Sequence, residues 1–145
     1  MNLTPDIDPL MSPNRAEVSL KAIAHNAAQL RAAIPDYIAL MAVVKADGYG
    51  HGMVDAARAA IAGGATWLGV AHPMTALDLA HADLDVPILA WLHEPMSAKN
   101  MLPHAIGAGV DLAVSSLAQL EAVIEAARSI ERRARVHVAL ETGMG

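Results

Sequence analysis

The chain contains no cysteine. Disulfides and thiolate metal sites are therefore excluded. Aromatic residues are scarce, with two Trp, two Tyr and no Phe, whereas 31 of the 145 residues are alanine. Much of the 54% hydrophobic content is accordingly small. The longest apolar run, Tyr37 to Val44, falls far short of the roughly 20 residues that span a bilayer. Positive charge is in deficit, with 10 Lys and Arg against 15 Asp and Glu and a formal net charge of -5. That balance argues against nucleic acid or an anionic membrane surface as the main partner. The N-terminus has neither a basic nor an apolar leader-like region, so no secretory signal is expected, and a cytoplasmic location is. Residues 1–14, with Pro5, Pro9 and Pro13 among Asp, Ser and Asn, read as a loose tail.

What is present suits one ordinary domain. A chain of about 150 residues buries roughly 68–70% of its unfolded surface, enough for a sizeable core. With 17% charged residues the composition is not that of a disordered chain.

Strand and helix signals alternate. Ala16 to Leu20 alternates like a short strand, and Lys21 to Ala33 has helical spacing ended by Pro35. Tyr37 to Val44 predicts a strand buried on both faces. A Gly-rich loop, Asp47 to Gly52, precedes an Ala-rich helix from Met53 to Ala62. Further strands are expected over Trp67–Val70, Val86–Trp91, Val110–Val114 and Arg135–Leu140. Helices are expected over Met74–Ala82, Ser97–Ile106 and from the N-cap Ser116 through Arg128. Repeated strand–helix steps indicate parallel βαβ units. Two architectures satisfy the pattern: an open doubly wound sheet, or part of a (β/α)8 barrel supplying about five of eight strands.

In either architecture, chemistry gathers at the C-terminal ends of the strands. Lys45 stands at the end of the most apolar strand. Removing an amine from water favours its neutral form, and a neutral amine is a nucleophile toward an aldehyde carbonyl. Gly48, Gly50 and Gly52 let backbone approach a ligand, and Tyr49 places a phenol in the same loop. The loop is neither a dinucleotide fingerprint nor a P-loop, since it lacks G-x-G-x-x-G and its lysine precedes the glycines.

The string Ala42-Val43-Val44-Lys45-Ala46-Asp47-Gly48-Tyr49-Gly50-His51-Gly52 closely resembles the pyridoxal phosphate attachment motif of the alanine racemase family. Arg15-Ala16-Glu17-Val18 before a helix carrying His25-Asn26 resembles the family's opening. The strand Trp67 to Ala71 fits, and Ile88 to His93 is similar to the third barrel strand of actinobacterial members. His137 to Gly145 resembles the family's H-x-K-x-D-T-G-M-G-R, so the likeness runs over residues 15–145.

The resemblance implies a fold-type III enzyme: a (β/α)8 TIM barrel followed by a β domain, working as a homodimer on alanine with pyridoxal 5'-phosphate. It implies that Lys45 holds the cofactor and serves as one acid–base group, and that Tyr49 hydrogen-bonds the cofactor phosphate. The chain is expected to be an N-terminal fragment of such an enzyme, inactive by itself. Ala139 stands where many members carry a carbamylated lysine, and Glu141 where aspartate is usual. A racemase for another small amino acid such as serine, or a non-catalytic single-barrel cofactor protein, remains open at this stage. Trp91 ends a strand and is as well suited to the core as to the cofactor's surroundings. His51 and His93 lie in strand-end loops. His25, His72, His81 and His104 lack metal-ligand spacing, so no metal site is expected. Glu121 and Glu125 read as a solvated helix face.

Overall fold

The computed structural model describes residues 15–95 and 100–143. Five strands, β1 (Met41–Val43), β2 (Trp67–Val70), β3 (Ile88–Ala90), β4 (Asp111–Val114) and β5 (Val136–Val138), lie side by side in that order. Every adjacent pair is parallel. The helical elements are α1 (Leu20–Ala32), α2 (Lys45–Gly50), α3 (Met53–Ala62), α4 (Pro73–Ala80), α5 (Leu102–Gly107) and α6 (Leu117–Ser129). The tail at residues 1–14, the expected helix start at 97–99 and Met144-Gly145 lie outside the described residues.

Strand order decides between the two architectures. A doubly wound sheet reverses its order and carries helices on both faces. Here the order runs without reversal. Leu68, Val70, Ile88, Ala90, Leu112 and Val114 join residues of α3 to α6 in one core cluster. The other face holds Met41, Trp67, Gly69, Leu89, Asp111, Ala113 and His137, which the parallel register brings onto one side. Trp67 of β2 and His137 of β5 meet edge to face with ring centroids 5.6 Å apart. Across a flat sheet, strands three places apart would be separated by roughly 14 Å. The sheet is therefore curled, and the arc is part of a TIM barrel.

Local chemistry sets the element ends. Ser19 caps α1 by accepting the Ala22 N–H at 3.2 Å, and Ser116 caps α6 by accepting the Gln119 N–H at 3.2 Å. Pro73 opens α4, where its missing N–H costs no helical bond.

Two expectations are corrected. Residues 15–19 form no strand; they are exposed, and Ser19 turns the chain straight into α1. Tyr37 to Val44 is not a strand buried on both faces either. The Arg31 guanidinium donates to the carbonyls of Ile34, Pro35 and Ile38, which folds the segment into a turn. Only Met41–Val43 extends, at the edge of the arc, and Tyr37 is 88% exposed.

Candidate active site at the strand ends

Lys45 follows β1 directly and is half-buried. It opens α2, but this segment is no ordinary helix. Ala46, Asp47, Gly48 and Tyr49 all have left-handed geometry, with φ of 51, 54, 62 and 57°. Left-handed conformation costs about 1–2 kcal/mol for each residue that bears a Cβ. Hydrogen bonds hold the turn against that cost. Val44 O accepts from Gly48 N–H, Asp47 O accepts from Gly52 N–H, and the Asp47 carboxylate accepts the Met53 N–H at 2.8 Å, heading α3. Gly48 is buried, and a Cβ there would come within 3.2 Å of the Ala56 methyl.

The reversed hand brings Tyr49 back beside Lys45. The Lys45 ammonium lies 5.9 Å from the centroid of the Tyr49 ring. Among the described residues no carboxylate forms an ion pair with Lys45. The two residues singled out in the sequence are thus adjacent, at the C-terminal mouth of the arc. The expected loop from Asp47 to Gly52 is instead this left-handed turn leading into α3.

Trp91 lies on the same concave side. A Cβ on Gly69 would stand 2.8 Å from the Trp91 ring and 2.8 Å from the Met41 sulfur, so the indole and the thioether both rest on a bare glycine. His51 is committed locally, its Nδ1 2.8 Å from Gly48 O. Ala139 hydrogen-bonds through its backbone to Val114 O, and Glu141 accepts the Gly143 N–H. Glu121 and Glu125 are exposed on α6. Among the described residues no three His, Cys, Asp or Glu side chains converge on a metal position. No described helix is long and apolar enough to cross a membrane.

A cluster inside the arc escaped the sequence reading. Asp111, 2% exposed, accepts from Arg135 Nε at 2.6 Å and faces His137 Nε2 at 2.9 Å. These links tie β5 to β4 on the concave face. The only signal in sequence was an aspartate heading an aliphatic strand, with partners 24 and 26 residues away.

His93 is also buried, after β3. Desolvation holds its imidazole pKa below the ordinary value, because burial penalises the charged form. The unfolded chain takes up that proton near the usual histidine pKa, whereas the folded chain resists until lower pH. Stability from this group is therefore complete above about pH 6.5 and is lost as pH falls below it, by at most about 1.4 kcal/mol per pH unit. Urea midpoints should drop between pH 7.5 and pH 5.5, and less steeply in His93→Leu. An equally steep drop in that variant would contradict the assignment.

The family model described as alanine racemase, N-terminal domain, matches residues 18–145. The chain belongs to the alanine racemase family through that domain. It is 52% identical over 131 residues to the alanine racemase of Thermobifida fusca, covering 89% of this chain and 33% of that protein. The solved alanine racemase of Streptomyces coelicolor superposes with a TM-score of 0.84 at 46% identity, over 90% of this chain and 34% of that one. The Enterococcus faecalis structure gives 0.77 at 34% identity, over 88% and 34%. The chain spans about a third of the length of the relatives it matches.

Proposed function

We propose that this chain carries the cofactor-binding portion of an alanine racemase that uses pyridoxal 5'-phosphate, supplies D-alanine for cell-wall precursors and works as a cytoplasmic homodimer. The observation that supports this most directly is the Lys45 amine, unpaired among the described residues, at the strand-end mouth beside Tyr49. The residues fit the cofactor: an aldehyde requires an amine free of an ion-pair partner, and a phosphate requires a donor such as the Tyr49 hydroxyl. When bound, pyridoxal phosphate supplies an electron sink for the bond broken at the substrate α-carbon.

The protein's part is position and protonation state. Lys45 would hold the cofactor through its amine and would hold or deliver a proton at the substrate α-carbon. Its half-burial limits water around the amine. Tyr49 donates to the phosphate and orients the ring it belongs to. Trp91, seated on Gly69, bounds the concave side of the mouth.

Borohydride reduction after incubation with pyridoxal phosphate tests the reading. Peptide mapping should find the pyridoxyl label on Lys45, and Lys45→Ala should lose it. Tyr49→Phe should keep the label while weakening cofactor retention by about 1.5–3 kcal/mol, one hydrogen bond to a charged group. A label on Lys21 or Lys99 would remove the basis of the proposal.

A further inference from the structure

On the helix-covered side of the sheet an open groove of about 630 Å³ runs between α6 and β5, its apolar wall made by Leu120, Ile124 and Ala127 of α6 and Val136 of β5. Leu117 extends the same stripe and is 77% exposed, and Ile124 is 40% exposed. Residues 117, 120, 124 and 127 alternate steps of three and four, the seam by which one helix packs lengthwise on another. Single exposed apolar residues are ordinary, whereas a continuous stripe marks a contact surface.

The charges beside the stripe say which surface fits it. Glu121 and Arg128 are exposed, lie two helical turns apart on the same edge of the stripe, and form no ion pair among the described residues. The acid stands three residues before Ile124 and the base four residues after it. Laid antiparallel on itself about a two-fold axis near Ile124, the helix brings Glu121 of each copy to Arg128 of the other. A parallel arrangement would set like charges together, and a uniformly acidic or basic partner would be repelled at one end of the stripe.

We propose that this face binds a second copy of the chain, α6 against α6, with the apolar seam at the centre and two Glu121–Arg128 pairs at its rim. The inference goes beyond the cofactor reading and does not rest on it: Lys45 follows β1, at the opposite edge of the sheet, and takes no part.

The absence of cysteine makes the test direct. Ile124→Cys places one thiol per chain beside the axis, where oxidation should yield covalent dimers at least tenfold faster than with Leu30→Cys, an exposed position on α1. Sedimentation equilibrium of the parent chain should show a monomer–dimer equilibrium that closes at two copies. Glu121→Arg and Arg128→Glu should each weaken it at least tenfold, because each sets like charges at both symmetry-related contacts. Both positions are solvated, so circular dichroism should match the parent. The two substitutions combined restore opposite charges and should return the affinity to within threefold of the parent. A parent chain that stays monomeric, open-ended oligomers, single variants that dimerise like the parent, or a double variant no better than the singles would overturn the proposal.

Discussion

Alanine racemisation by residues 1–145, supplied with pyridoxal 5'-phosphate, is expected to run at least about 10³-fold below that of a full-length relative. Inverting a stereocentre needs a proton taken from one face and another delivered to the opposite face. On the proposed reading Lys45 serves one face. Its neighbour Tyr49 lies on the same six-residue segment and so on the same side. Among the described residues nothing pairs with Lys45 from across the mouth. Catalytic groups that act as a unit fail together when one is removed, so a correctly bound cofactor would not restore the rate. The measurement is D-alanine formed from L-alanine, beside quantification of the pyridoxyl label on Lys45. A rate within tenfold of the relative's would place both acid–base groups inside these residues and sink the proposal.

The largest effect on stability is expected where Asp111 is stripped of both partners. Its carboxylate is buried, while its partners reach solvent: the Arg135 side chain is 65% exposed and that of His137 is 42%. The consequences of mutation are therefore lopsided. Asp111→Leu removes the buried charge itself and releases two groups that water can take, a change expected to be near neutral or stabilising. Arg135→Met combined with His137→Leu instead leaves a carboxylate with no cation in an apolar interior, at a cost of about 3–5 kcal/mol. A domain has about 5–15 kcal/mol in total, so the double variant should be marginal. Urea unfolding of the three proteins decides the matter. A double variant within about 1 kcal/mol of the parent would mean that the cluster contributes nothing to holding β5.

The middle of the arc was legible in the sequence for simple reasons. β2, β3 and β4 sit between two neighbours and under helices, so their aliphatic runs mean what they seem to mean. Their helices are punctuated by Pro73, Pro103, Ser116 and Gly107, each a local signal. β1 was misjudged because an apolar run implies cover on both faces, and its outer edge has none. Nothing in the sequence marks Arg31 as the residue that gathers three carbonyls. Lys45 could be found because a charge at the end of such a run is conspicuous. The left-handed turn beside it could not, because Ala46 and Tyr49 have no preference for that geometry. Asp111 and His137 were hidden by distance along the chain, since a buried ion pair leaves no local pattern.

The unreversed strand order has a consequence for how the molecule is made. Each strand pairs with the one completed before it, and α3 to α6 close over strands already emerged or emerging next. Topologies rich in such near-neighbour contacts fold quickly, because little loop entropy is lost before contacts form. On a ribosome adding roughly 5–20 residues per second, one βα unit would be finished every few seconds and could dock on the last. β5, the last strand in that order, would dock last, and its apolar side chains stay the most open of the sheet, with Val138 71% accessible.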